Sequence, residues 1–427
     1  MSRNQLRVCF ISRRFFPALS GMSVYALNLV RELVSRGHDV TLVSQYRNDA
    51  AGSSVYGGGP PPEVAGATVV GRESLGEQRV NDGLPASFEQ DVEDMVAAVE
   101  REHRKRPFDL IHAQYGYPCG LAALEASRRL GLPNVVSIQG GDGHWVGTCC
   151  TTHKQAMLAV LGHSGALLIG SRSFAEKVHG HHGTGLERFT IVPGATDTRR
   201  FRPRDELAIG ALRPRPVLLY HGRVDVQKGV MELMHALRLL VDQQRDLKLI
   251  VSGTGPDVEA VRQSVGELGL GGRVEMPGYS DYEHAPRVYQ RGDLFVLPTY
   301  SEGFSNTLLE AMASGLPIVS TRAVGVVDCL EDGRDALLVP PGDAHALAGA
   351  IGRMLDDHVL RERLAHTALT KVRELYSWQA VGRRIQDVYA QLAGTPPDTR
   401  WTGLYDPATT HEQADPSCRF RGAPHLL

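Results

Sequence analysis

The sequence predicts two α/β domains in tandem, each a doubly wound parallel sheet of the Rossmann-like kind, and three observations predict it. Short apolar runs that read as buried strands alternate with helical stretches to about residue 200. The same alternation restarts at residue 216, after a Pro/Arg-rich stretch over 202–215 that reads as a linker. The polar residues that bear chemistry fall just after strands, where open parallel sheets bind their ligands.

Each element follows from local pattern. LRVCFIS (6–12) is a continuous apolar run, and a loop holding Ser20 and Gly21 leads into a helical stretch over 22–36. Gly37 stops that helix and the strand HDVTLVS completes a β-α-β unit. FDLIHAQ, NVVSIQG, ALLIGS and FTIVPG are the further strands, while the Gly/Pro-rich segment 47–66 reads as a mobile loop. The second domain opens with PVLLYHG (216–222) and a helix over 229–242, whose Val230, Leu233, Met234, Leu237, Leu240 and Val241 form a core-facing stripe. LKLIVSG, RVEMPG, DLFVLP and PIVST follow, each bounded by Gly or Pro. After Gly342 the chain is helical to about Leu392, and from Gly394 it is Pro-rich, an irregular but packed tail with isolated Trp401 and Tyr405. The expected division is 1–204, 205–377 and 378–427.

Bulk properties exclude several functions. A chain of 427 residues that is 42% hydrophobic buries a sizeable core. Its net charge of −2 gives no global drive toward nucleic acid or an anionic membrane, so a small-molecule substrate is favoured. The six cysteines contain no C-x-x-C, and Cys9 lies inside a buried strand, which suits reduced thiols. With no signal-peptide pattern and no apolar run of membrane-spanning length, a cytoplasmic location is expected.

The chemistry gathers in the second domain. Gly222 and Arg223 end its first strand and Lys228 opens the next helix, giving G-R-x4-K-G. A cation at a helix N-terminus is unfavourable by roughly 0.3–1 kcal/mol, a cost that a bound diphosphate reverses. In TYSEGFSNTLLEAMASGLP (299–317), Gly303 permits a tight backbone, Ser305 suits an N-cap, and the amides around Asn306, Thr307 and Leu308 form a phosphate seat. Glu302 before this helix and Glu310 within it are acceptors for sugar hydroxyls. No D-x-D is present to hold a divalent metal against a diphosphate, so no metal or other cofactor is expected and leaving-group charge falls on Arg223, Lys228 and the helix amides.

In the first domain, Ser20-Gly21 precedes a helix and faces the phosphate seat in the expected arrangement, while Asp142 and His144 follow the strand NVVSIQ, where acceptor recognition or proton relay is expected. Other motifs read as structural. The glycines of GTG (253–255) make a tight turn; His179, His181 and His182 sit in a loop without metal spacing; and Cys149-Cys150 are structural rather than redox-active.

Together these segments resemble the family 4 retaining glycosyltransferases of the GT-B fold. FFPALSG, IVPGATDTRRFRP, HGRVDVQKG, LIVSGTGP, EGFSNTLLE, DGRDALLVPPGD and YSW carry the match over about residues 7–392. The resemblance implies two Rossmann-like domains facing across a cleft, with a last helix that returns to the first domain near Trp378. It implies that Glu310 binds ribose hydroxyls and that Glu302 and the amides of Gly303, Phe304 and Ser305 hold the donor sugar. Arg223 and Lys228 match diphosphate ligands, and Gly21 a first-domain phosphate contact.

Three positions depart from the pattern: Gln139 where histidine is common, Gly194-Ala195 where Asn-Gly is usual, and Gly325 without its usual glycine successor. RRFFPALSGMSVYALNLV and QGGDGHWVGTCC look more specifically like transferases that glycosylate 2-deoxystreptamine in aminoglycoside assembly. That likeness implies UDP-N-acetylglucosamine or UDP-glucose as donor and a cationic aminocyclitol as acceptor, with Gln139, Asp142 and His144 on the acceptor side. Competing readings are a family member with another small or lipid acceptor, a glycoside hydrolase using Glu302 and Glu310, a nucleotide-sugar 2-epimerase, and a noncatalytic nucleotide-sugar sensor.

Overall fold

The computed structural model describes residues 5–17, 20–50, 58–148, 150–206, 209–398, 400, 401, 403 and 418. The chain divides into two compact units, residues 1–193 with 382–427 and residues 194–381.

The first unit is built on seven parallel strands: β1 (Arg7–Ser12), β2 (Asp39–Tyr46), β3 (Ala67–Glu73), β4 (Leu110–Gln114), β5 (Asn134–Ile138), β6 (Ala166–Ile169) and β7 (Phe189–Ile191). Their order is β3-β2-β1-β4-β5-β6-β7. Val8, Cys9, Phe10 and Ile11 of the central β1 are fully buried, as expected where helices cover both faces of a parallel sheet. Its main helices are α1 (Gly21–Ser35), α2 (Phe88–Lys105), α3 (Leu121–Leu130), α4 (Thr151–His163) and α5 (Arg172–His182). Ser20 caps α1 through a reciprocal pair of hydrogen bonds with Ser23, which fixes where that helix begins.

The second unit has six parallel strands: β8 (Val217–His221), β9 (Lys248–Ser252), β10 (Val274–Gly278), β11 (Leu294–Leu297), β12 (Ile318–Thr321) and β13 (Leu337–Val339). They lie in the order β10-β9-β8-β11-β12-β13. Around them run α6 (Val230–Asp242), α7 (Val258–Glu267), α8 (Asn306–Ala313), α9 (Ala344–Asp356), α10 (His358–Leu375) and the start of α11 (Trp378–Leu392). The apolar stripe of α6 is buried at Val230, Leu233, Met234, Leu237 and Leu240; Val241 is half-buried, and Ala236 completes the buried face.

Several expectations are revised. The units divide at 193/194 and 381/382 rather than at 204/205 and 377/378. Residues 194–204 join the second unit because Phe201 packs edge-on against Tyr289 at 5.5 Å, and Arg200 pairs with Glu283 at 3.1 Å. At the other end α11 runs through the division, so its first turn belongs to the second unit and residues 382–392 to the first. The helical stretch after Gly342 is three helices, and Asp343 and Asp357 cap the first two by accepting from the amides of Ala346 and Leu360. The histidines expected in a loop form the last turn of α5. Of the expected mobile loop, 51–57 lie outside the described residues, as do Cys149, Tyr405 and most of the tail; Trp401 and Cys418 are buried. Among the described residues no helix is long and apolar enough to cross a membrane.

Candidate active site

In the second unit the loops at the carboxyl ends of β8, β11 and β12 converge. Gly222 follows β8 and donates its amide to the Ser252 carbonyl at 3.0 Å. A Cβ at Gly222 would lie 3.8 Å from Thr307 Cγ2, so the strand end sits against the first turn of α8. Gly253 faces the same spot with φ +142°, and a Cβ there would fall 1.8 Å from the Gly222 carbonyl oxygen. The GTG segment is thus close backbone packing under the site, in keeping with its structural reading.

Lys228 lies in a short 3-10 turn (Val226–Lys228) ahead of α6. Its ammonium donates to Glu302 Oε1 at 2.8 Å and to the Ser301 carbonyl at 3.3 Å. The sequence reading left the charge of Lys228 to be relieved by a bound anion. In the structure Glu302 relieves it. Glu302 itself is held by backbone: its amide donates to the Val324 carbonyl at 2.9 Å, and Gly325 backs onto its carbonyl with φ +79°. A Cβ at Gly325 would come within 2.3 Å of that oxygen, so this glycine is required even without a glycine after it. Arg223 is half-exposed and its guanidinium Nε lies 3.2 Å from Asp225.

Ser305 takes the N-cap position of α8, but its side chain does not cap the helix; its Oγ lies 3.1 Å from Thr307 Oγ1. The N-cap side chain therefore does not take up the positive end of α8. Phe304 packs on Tyr376 at 5.6 Å between ring centroids. The departure at Gly194 is explained by this ring, since a Cβ at 194 would stand 2.6 Å from Phe304 Cδ1.

Glu310, one and a half turns into α8, is buried, with 7% of its surface exposed. It accepts a 2.6 Å hydrogen bond from the Tyr289 hydroxyl. Burial pushes its carboxyl up to about 7, against the pull of Tyr289 and of the Arg200 charge. His221 packs edge-on against Tyr289 at 5.2 Å, and burial lowers its imidazole to about 4, so it is neutral at physiological pH. Tyr289 and His221 went unnoticed in the sequence. No spacing links residue 289 to 310, and only their placement on β8 and in a short helix (Ala285–Tyr289) brings them beside α8.

In the first unit Gly21 is the first residue of α1 and is exposed. Gln139, at the end of β5, accepts from Gln114 Nε2 at 2.9 Å. Gln114 also donates to the Met22 carbonyl and accepts from Ser12 Oγ, so one network joins the ends of β1, β4 and β5. His144 is half-buried and lies against Phe174 at 4.6 Å.

Asp142 departs from its expected role. It is fully buried and accepts from the amides of Gly116, Gln139 and Gly140 at 2.8, 3.1 and 2.7 Å. Burial pushes its carboxyl up to about 6 against those amide bonds. It ties the 139–142 loop to the end of β4 and is not presented to a ligand.

A second polar cluster at the same edge was not foreseen. Arg13 and Arg14, just after β1, and Arg47, just after β2, all reach Glu77, at 2.6, 3.3 and 3.4 Å. Burial raises the Glu77 carboxyl, but the three guanidiniums outweigh it and hold it below the usual range.

Comparison with known proteins places both units. Residues 20–195 match the family model "Glycosyl transferase 4-like domain" and residues 215–357 match "Glycosyl transferases group 1". An alpha-D-kanosaminyltransferase of Streptomyces kanamyceticus is 32% identical over 51% of this chain and 55% of its own length, so the chain aligns with about half of that relative. A D-inositol 3-phosphate glycosyltransferase of an Arthrobacter species is 26% identical over 87% of this chain and 92% of that protein. Among solved structures, sucrose-phosphate synthase of Thermosynechococcus elongatus superposes with a TM-score of 0.74 at 22% identity, covering 91% of this chain and 99% of that one. HepE of Anabaena in complex with UDP-glucose gives 0.70 at 18% identity, covering 91% and 100%. With two parallel-sheet Rossmann-like units and both halves matching transferase families, the chain belongs to the group 1 and 4-like glycosyltransferases of the GT-B fold and is a hexosyltransferase.

Proposed function

We propose that the enzyme transfers N-acetylglucosamine or glucose, with retention, from a UDP-sugar to an aminocyclitol such as 2-deoxystreptamine. The observation that carries the donor half is the Lys228–Glu302 pair just ahead of α8, with buried Glu310 farther along the same helix. A diphosphate there meets Lys228, Arg223, Gly222 and the first amides of α8, around Asn306, Thr307 and Leu308. The Glu310 carboxylate accepts the ribose hydroxyls while Tyr289 holds its other oxygen. Glu302, freed from Lys228 by the diphosphate, accepts sugar hydroxyls beside Gly303, Phe304 and Ser305. UDP-glucose in the HepE complex supports a uridine donor at this fold.

In the transfer the bond from the sugar's anomeric carbon to the diphosphate oxygen breaks. The acceptor oxygen bonds to that carbon on the same face, and its proton passes to the departing diphosphate. Arg223, Lys228 and the α8 amides carry the developing charge, so omitting Mg2+ and Mn2+ should leave turnover within about twofold. Glu302 and Glu310 have separate partners, Lys228 and Tyr289, which gives no support to a hydrolase pair. The epimerase reading likewise gains nothing from relatives named as transferases.

The kanosaminyltransferase relative supports an acceptor of the aminoglycoside kind, with Gln139 and His144 lining its side. A second reading has its own observation. Arg13, Arg14 and Arg47 gather at Glu77, with Asp49 also paired to Arg47, and the D-inositol 3-phosphate glycosyltransferase relative is named for an anionic acceptor. Incubation of UDP-N-acetylglucosamine with 2-deoxystreptamine and, separately, with inositol 3-phosphate decides between them by mass spectrometry and NMR. An α-linked pseudodisaccharide with UDP release is the expected product. A β-linkage overturns retention, and transfer to the phosphorylated cyclitol alone overturns the aminocyclitol.

A further inference from the structure

Away from both of these sites, three soft ligand side chains meet at the start of α4. Cys150 stands just before the first residue of that helix, His153 lies in its first turn, and Cys418 arrives from the C-terminal segment of the same compact unit. Cys150 Sγ is 2.9 Å from His153 Nδ1 and 3.7 Å from Cys418 Sγ. Cys418 Sγ is 3.2 Å from the same nitrogen, and all three atoms lie within 4.8 Å of one another. His153 and Cys418 are 1% and 2% exposed, while Cys150 keeps partial access to solvent.

We infer that Cys150, His153 and Cys418 form a structural zinc(II) site that fastens Cys418 to the start of α4. A tetrahedral zinc with Zn–S bonds of about 2.3 Å sets its sulfurs about 3.8 Å apart, close to the separation found. A disulfide instead needs about 2.05 Å, which would draw the two sulfurs together by roughly 1.7 Å. The nitrogen–sulfur edges, 2.9 and 3.2 Å, need to open by about 0.7 and 0.4 Å to reach the roughly 3.6 Å that zinc sets. Two thiols and an imidazole are a ligand set that zinc prefers over harder divalent ions. Cys150, the accessible member, leaves the fourth position on the solvent side for water or a further side chain.

The surroundings are built to hold the ligands. Tyr117, fully buried, packs edge-on against the His153 ring at 4.7 Å and sets its plane. A Cβ at Gly147 would stand 3.2 Å from the His153 carbonyl oxygen, so the loop that begins at Gln139 comes to rest on this same turn. The ion therefore anchors both Cys418 and the base of the loop that carries Gln139 and His144. This site is separate from the diphosphate, where no metal is expected. Its sequence trace is C-x2-H at 150–153, and the third ligand lies 265 residues away, beyond the reach of any spacing rule.

The full chain, purified under reducing conditions, should carry close to one zinc per molecule by mass spectrometric metal analysis. The metal-free form should bind one equivalent of Co(II) with the visible bands of tetrahedral thiolate coordination. Cys418→Ser should weaken Co(II) binding by at least about a hundredfold, more than the loss of an outer hydrogen-bond partner costs. Its circular dichroism should remain that of the parent. As a check needing no variant, zinc should shield Cys150 and Cys418 from iodoacetamide and a chelator should restore their alkylation. A protein that binds no Co(II), binding unchanged by both Cys418→Ser and Cys150→Ser, alkylation indifferent to zinc, or an intact mass showing the two thiols joined in a disulfide would each overturn the site.

Discussion

At Glu310 stability and binding pull in opposite directions. Its ordinary carboxyl value is near 4.5 and its folded value about 7, so between these the unfolded chain gives up a proton that the folded chain keeps. Stability therefore falls as pH rises through that window and levels off above it, by up to about 3 kcal/mol. Glu310→Gln removes the titration and should be more stable than the parent at pH 8, with the advantage vanishing toward pH 4.5, in thermal unfolding. On the proposed function the same variant should also bind UDP more weakly, because that reading places the carboxylate on the ribose hydroxyls. A stability difference independent of pH would show that burial is not what holds this proton. Tyr289→Phe removes the hydroxyl that steadies the carboxylate and should weaken UDP binding about tenfold by calorimetry; an unchanged affinity would confine Tyr289 to packing. Glu310 stood out because solvent exposure is a weak account of a lone acid in an Ala/Gly-rich helix of the buried type, and the side chain is indeed buried. Asp142 was misread because a carboxylate just after a strand gives the same pattern whether it faces a ligand or the amides of its own loop.

The loops that present these residues are set by where backbones touch, a property of elements rather than of side chains. Gly325 combines φ +79° with a 2.3 Å approach to the Glu302 carbonyl, whereas Gly333, at φ +72°, has open space around it. Gly333→Ala should cost only the conformational strain, about 1 kcal/mol. Gly325→Ala adds a backbone clash and should cost about 2–4 kcal/mol. It should also lower kcat, since Glu302 must shift with its loop. Chemical denaturation of both variants separates the terms, and equal losses would mean the contact with Glu302 is unimportant. Most strands were readable because both faces of a parallel sheet are buried and the runs are continuously apolar, as in β1 and β11. β3 escaped notice because it is an edge strand, half-buried in alternation. β13, three residues long, lies within the segment DGRDALLVPPGD, which served only as a family motif.

On the scale of the whole molecule the chain leaves the first unit at residue 193 and re-enters it at 382, so α11 from that point belongs to the first unit. The returning segment is joined to the rest of that unit by buried polar contacts. Tyr389 on α11 lies 2.6 Å from His112 Nδ1 of β4, and His112 Nε2 lies 2.8 Å from Ser137 Oγ of β5, with His112 and Tyr389 both fully buried. No sequence pattern announces a pair 277 residues apart; a histidine inside an apolar strand reads only as buried. Burial drives the His112 imidazole down to about 3 from an ordinary 6.5. Between these values the unfolded chain binds a proton that the folded chain refuses, so this contribution is whole above pH 6.5 and is lost as pH falls toward 3. Up to about 5 kcal/mol of acid sensitivity follows from this one ring. Tyr389→Phe should cost about 1–3 kcal/mol by leaving a buried ring nitrogen without its partner. His112→Asn, which keeps polar groups but cannot titrate, should flatten the loss of stability between pH 6.5 and 4. Calorimetry over that range measures both. If Tyr389→Phe unfolds like the parent and His112→Asn keeps the same acid profile, the returning helix is held by its apolar face alone.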